Sequence, residues 1–319
     1  MGLFGGGRKL CPVCGNKASR FLPLKLAGEP LCGECESKVL DLPEDMRSGV
    51  LENMTALREY FAVFDENTAL RQSFQQTYQH DFGILGGSLC LDTTNRLLRL
   101  STSDNAFVFE PENIKLFRIS EDSAPLFEGT AEELVCYQST APDRARNLGR
   151  EVDRYRLELR QCEQMRHVEE EMERMAKGRG EEYHSRYIPT PDVSCLNPFQ
   201  KYYVHIELDH PYRKVTKDFK ETGPGFDSLN ASIEGYLQAY ENYSNEMRTM
   251  AESLMAIINP DAPRRQVSAP AAPGGQAAPA ASAPPADPVA EIQKYKALLD
   301  SGAITEEEFA AKKRQLLGI

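Results

Sequence analysis

The chain has 319 residues, of which 41% are apolar and 27% charged, with 20 Pro, no Trp and a formal net charge of −11. That length suits two or three units, since single domains run to roughly 100 to 200 residues. No apolar run approaches the roughly 20 residues of a membrane span, and an acidic chain lacks the basic surface that coats nucleic acid. The opening Met-Gly-Leu-Phe-Gly-Gly-Gly-Arg-Lys has no apolar core of secretory-signal length, so a cytoplasmic location is expected.

The eight cysteines are unevenly placed: four fall within the first 35 residues, while Cys90, Cys136, Cys162 and Cys195 stand apart and read as small packing residues. Cys11-Pro-Val-Cys14, seventeen residues and Cys32-Gly-Glu-Cys35 form two Cys-x-x-Cys knuckles, each offering two sulfurs to a tetrahedral ion. Gly15 and Gly33 stand where the turns are tight. Four thiolates fill the coordination sphere and leave no position for water, so the expected Zn2+ at Cys11, Cys14, Cys32 and Cys35 is structural, in a zinc ribbon over 1–40.

After the break at Asp41-Leu42-Pro43, a helix is expected over 45–73, with Val50, Met54, Leu57, Phe61, Phe64 and Leu70 at helical spacing. Short strand-like segments follow at 88–91, 96–100, 106–109, 114–120 and 133–137, with Asp92-Thr-Thr-Asn95 as a turn. They read as an antiparallel meander. A charge-dense helix over 142–177 carries Ala145, Leu148, Val152, Tyr155, Leu159 and Cys162 in a three-four alternation, then shifts register through Met165, Val168, Met172 and Met175. Packing within its own chain is favoured over a coiled coil.

Strands return at 202–208 and 213–219, and a long helix over 228–258 carries one apolar stripe from Leu229 to Ile257, which reads as a lid on the preceding sheet. Together, residues 44–258 make a central α+β domain with a helical insertion at about 142–177. Residues 259–287 are Pro, Ala and Gly with almost no large apolar side chain, and so form a linker. Residues 288–319 form a helical hairpin: Pro288 opens the first helix, Gly302 stops it, and Thr305 with Glu308 makes a capping box for the second. Its apolar residues Leu298, Leu299, Phe309, Leu316 and Leu317 are the expected partner-binding face, because two short helices bury such a cluster only in part.

The opening Met-Gly-Leu-Phe, the two knuckles through Leu31-Cys32-Gly33-Glu34-Cys35, and the run Leu298-Leu-Asp-Ser-Gly-Ala-Ile-Thr-Glu-Glu-Glu-Phe309 resemble a family of uncharacterised bacterial proteins. That family carries an N-terminal zinc ribbon within a domain of unknown function and a C-terminal SHOCT (short C-terminal) domain. The resemblance covers about a fifth of the chain, and Leu91-Asp-Thr-Thr-Asn-Arg-Leu-Leu98 loosely resembles the pleckstrin-homology-like region of some relatives. It implies a tail that serves oligomerisation or partner contact, and no established activity.

Three function classes fit these features. A non-enzymatic adaptor or scaffold, forming a homo-oligomer or holding a protein partner through the hairpin, leads. A nucleic-acid-binding ribbon is the alternative: residues 1–40 hold Arg8, Lys9, Lys17, Arg20, Lys25 and Lys38 against Glu29, Glu34 and Glu36. That excess of three falls to about one beside a Zn(Cys)4 centre of charge −2. An enzyme ranks third, since the only cluster worth testing, His205, Glu207 and Asp209 on one strand face, looks the same as a solvated polar face.

Overall fold

A computed structural model describes residues 9–83 and 86–268; the expected hairpin at 288–319 lies outside them. In chain order, β1 (Lys25–Leu26) and β2 (Glu29–Pro30) make a hairpin, followed by α1 (Gly33–Leu40), α2 (Glu44–Val50) and α3 (Met54–Ser73). The helix expected over 45–73 is therefore two helices. Asn53 interrupts it, with an extended backbone at φ −151° and a side chain that accepts from the Ala56 N–H at 2.9 Å, which starts a new helix.

A four-stranded antiparallel sheet follows, β3 (Tyr78–Asp81), β4 (Ser88–Asp92), β5 (Leu97–Arg99) and β6 (Val108–Phe109), in that order. The second sheet starts with β7 (Ile114–Glu121), β8 (Ala124–Gly129) and β9 (Leu134–Gln138). β8 escapes the sequence reading because Pro125 and Gly129 look like breakers. Pro125 sits opposite Ser120 where the β7–β8 register shifts, a place in a sheet that tolerates a missing N–H. Gly129 is required by contact: a Cβ there would come within 2.1 Å of the Phe117 ring.

The charge-dense stretch divides into α4 (Ala141–Arg146) and α5 (Gly149–Arg179), and Gly180 in the left-handed region ends the latter. Ala145, Val152, Tyr155 and Leu159 are buried in the main core as the alternation implies, whereas Met165, Val168, Met172 and Met175 stay about half exposed. β10 (Lys201–His210) and β11 (Arg213–Thr222) pair along their whole length and add to β7. The last helix among the described residues, α6 (Ile233–Ile258), begins five residues later than expected. Asp227 turns the chain by accepting from Leu229 and Asn230, Ser232 caps the helix by accepting from Gly235, and Leu229 is left 76% exposed.

Finally β12 (Arg264–Ser268) pairs in parallel with β9, giving the sheet order β11-β10-β7-β8-β9-β12. This corrects the expected linker at 259–287, because ladder bonds and the Arg265–Glu133 ion pair at 2.8 Å hold its first part in the sheet. A strand whose side chains are mostly polar gives no hydrophobic signal when main-chain pairing places it.

α6 lies over both sheets and joins them into one core, burying Met247, Met250, Leu254 and Ile257 completely. Each such side chain is worth roughly 1.5 to 3 kcal/mol. The sheets also meet where Phe82 stacks on Phe219 at 4.2 Å and His80 pairs with Glu221 at 2.6 Å. A second apolar cluster surrounds the N-terminal cysteines and runs across the expected boundary at residue 40 to Val50, Leu57 and Tyr60.

Candidate metal centre

Two short turns bring the cysteines together. In the first, Cys11 N–H donates to the Asn16 carbonyl at 2.7 Å and Gly15 N–H returns to the Cys11 carbonyl at 2.9 Å. Gly15 has φ +75°, a conformation only glycine adopts without strain. Leu10 and Lys17 bridge beneath this knuckle. The second follows the β1–β2 hairpin, whose central Ala27 and Gly28 both have positive φ, as a two-residue hairpin turn of this hand requires. Cys32 is then the N-cap of α1, and Cys35 lies in its first turn. Gly33, expected in a tight turn, is instead the first residue of that helix.

Glu36 on α1 ties the two halves, accepting from Ser19 Oγ at 2.9 Å and from the Leu24 N–H at 3.0 Å. The result is a cluster in which one sulfur from each of Cys11, Cys14, Cys32 and Cys35 lies within 4.8 Å of all the others. Cys14 Sγ is 3.4 Å from Cys32 Sγ and 3.7 Å from Cys35 Sγ. Disulfide sulfurs stand about 2.05 Å apart, whereas four sulfurs at about 2.3 Å from a tetrahedral ion are about 3.8 Å from one another. The spacing fits a metal cage. Cys11, Cys32 and Cys35 are buried and Cys14 is exposed.

Electrostatics around the sulfurs is uneven. Burial disfavours a thiolate at Cys11, but backbone N–H groups of Cys14, Cys32 and Val13 outweigh it and lower that thiol to about 7. At Cys35, burial and then the neighbouring thiols push the pKa well above its ordinary value. Crowded thiols suppress one another's ionisation, and a cation among them reverses that logic. A set of four sulfur donors selects a soft divalent ion and leaves it no open position.

The cage is anchored to the rest of the chain by contacts that sequence reasoning missed. Tyr60 on α3 donates to the Lys38 carbonyl at 2.6 Å and packs edge-on against Tyr212, 5.2 Å between centroids. Arg213 of β11 donates to Asp41 Oδ2 at 2.6 Å, and its guanidinium lies 4.7 Å from the centre of the Phe107 ring. Buried Asn67 on α3 donates to the Val108 carbonyl at 2.6 Å and accepts from the Val108 N–H, closing the β6 edge with a side-chain amide. Asn67 falls midway between Phe64 and Leu70 at steps of three, a polar residue on an apolar stripe, and that was the available signal.

A second polar cluster, on β10 and β11, is held by ion pairs. His205 and Glu207 share the outer face of β10, with Nε2 at 3.1 Å from Glu207 Oε1 and Nδ1 at 2.6 Å from Asp218 Oδ1. Asp209 instead faces Lys115 at 3.6 Å. Of the scattered cysteines, Cys90 is buried, Cys136 and Cys162 are partly so, and Cys195 is exposed, so the packing role holds fully for Cys90 alone.

Among the described residues, no helix is long and apolar enough to cross a membrane. Residues 290–317 match the family model of the short C-terminal domain, SHOCT, and this span contains Leu298, Leu299, Phe309, Leu316 and Leu317. Those five side chains lie outside the described residues. No curated protein and no solved structure matches the chain.

Proposed function

We propose that this protein is a non-enzymatic zinc-binding adaptor, in which a structural Zn2+ at Cys11, Cys14, Cys32 and Cys35 sets up an N-terminal platform and the C-terminal hairpin mediates oligomerisation or partner contact. The observation that carries it is the set of four sulfurs within 4.8 Å of one another, three of them buried in an apolar cluster that reaches α3. An ion held by four thiolates has no open coordination position, so it organises chain rather than binding substrate. The match at 290–317 supports the tail as a separate module. Two sheets joined by the long helix α6 support the pleckstrin-homology-like reading of the centre, from which α5 as an insertion and β12 after α6 depart.

Light scattering tests the tail. The full chain is compared with a chain ending at Ala272, which keeps β12 in its sheet, and with Phe309→Asp in the full chain. Self-association is expected to fall in both. The same mass in all three would remove the hairpin as a self-association device.

A further inference from the structure

We infer that the groove between α6 and the β9–β12 edge binds a small soluble organic oxyanion, a carboxylate or a phosphate ester, with its charged end at Arg248. The groove arises because β12 extends the sheet past β8, the outermost strand of this sheet that α6 crosses closely. Its volume is about 690 Å3, within the roughly 300 to 1,000 Å3 of small-ligand sites.

The register of the parallel pair sets Leu134 beside Arg264 and Cys136 beside Gln266, and alternation brings these four to one face of the sheet. Tyr240, Ser244, Arg248 and Glu252, spaced by four, present one face of α6 to the same space, and Asp143 and Arg146 of α4 close its end.

Three guanidiniums thus meet two carboxylates. Arg146 pairs with Asp143 at 2.6 Å and Arg264 with Glu252 at 3.3 Å, while Arg248 has no ion pair among the described residues. One cation is left over in a concave site, which is what a single oxyanion neutralises. The charges converge on Cys136, whose thiol feels Arg248, Arg264 and Glu252 together.

One wall of the groove is held in place by hydrogen bonds. Ser139 Oγ and Tyr240 OH, both on the groove wall, donate to buried Glu121 at 2.5 and 2.9 Å; burial raises that carboxyl's pKa against the pull of these two hydrogen bonds. A free ligand is preferred to a membrane headgroup because a chain of net charge −11 is repelled by an anionic bilayer.

The test follows iodoacetamide labelling of Cys136 in the full-length protein by peptide mass spectrometry, with exposed Cys195 as the internal reference. Saturating phenyl phosphate or phenylacetate is expected to slow Cys136 labelling about threefold or more, with Cys195 unchanged and benzyl alcohol without effect. The anion that protects at lower concentration assigns phosphate or carboxylate. Arg248→Gln is expected to abolish protection, and Arg166→Gln, outside the groove, to keep it. The inference is overturned if neither anion protects, or if protection survives Arg248→Gln or is matched by benzyl alcohol. Phosphatidylglycerol vesicles are expected to leave the protein in the supernatant on centrifugation; sedimentation that depends on Arg248 would overturn the soluble ligand.

Discussion

Asn67 does the work of a missing β-strand. Its amide satisfies both backbone groups of Val108, which would otherwise be buried and unpaired at the edge of β6. Asn67→Leu keeps the volume and removes both bonds, so it is expected to cost about 1 to 3 kcal/mol, read as a lower urea midpoint with an unchanged slope. Arg96 plays a comparable part: at φ +58° in the β4–β5 turn, it donates from Nε and Nη2 to the carbonyls of Ile257 and Ile258 at 2.8 and 2.7 Å, capping the C-terminus of α6. Arg96→Ala is expected to cost on the order of 1 kcal/mol.

His205 supplies a pH dependence. Burial works against its charge, but hydrogen bonds to Asp218 and Glu207 outweigh it, so the folded pKa lies above the ordinary imidazole value. A group raised in this way contributes stability that is fully present below its unfolded pKa and is lost as pH rises through the folded pKa. The wild type is therefore expected to lose a small increment of thermal stability as pH rises above the ordinary imidazole value of about 6.5 that His205→Gln does not lose. Parallel curves for the two proteins would show that the pair contributes nothing.

At the scale of elements, periodicity was legible wherever an apolar face decides the structure. The stripe on α6 is the clearest case: Met250 and Leu254 are fully buried, and Leu254→Ala is expected to cost about 2 to 5 kcal/mol. Leu229→Ala, outside the helix and largely exposed, is expected to change stability by less than about 0.5 kcal/mol. A calorimetric melt of each variant separates the two. Elements placed by backbone pairing were not legible, because β12 is Arg-Arg-Gln-Val-Ser and β8 carries a proline at a bulge. Helix breaks were missed for a related reason: the same apolar spacing runs through α2 and α3, and only the Asn53 cap marks the join.

At the scale of the molecule, the grouping of Cys11, Cys14, Cys32 and Cys35 was legible from spacing, since Cys-x-x-Cys turns constrain their own geometry. What spacing could not reveal is how far the site's influence reaches. The apolar cluster around the sulfurs continues through α2 to Tyr60 on α3, and Asp41 and Tyr60 meet Arg213 and Tyr212 next to β11. Cys32→Ser is thus expected to loosen α1 to α3 together while α6 and its sheets persist, because the main core shares no buried residue with that cluster. Hydrogen exchange resolved by peptide checks this: faster exchange across residues 9–73 with unchanged protection at 247–258 is the expected pattern.

The central claim, a structural zinc in the N-terminal cage, is tested most directly by elemental analysis of the full-length protein purified without chelator. About one equivalent of zinc per chain, lost in Cys14→Ser and Cys32→Ser, is the expected result. Protein that is folded over residues 9–73 and carries no metal would contradict it.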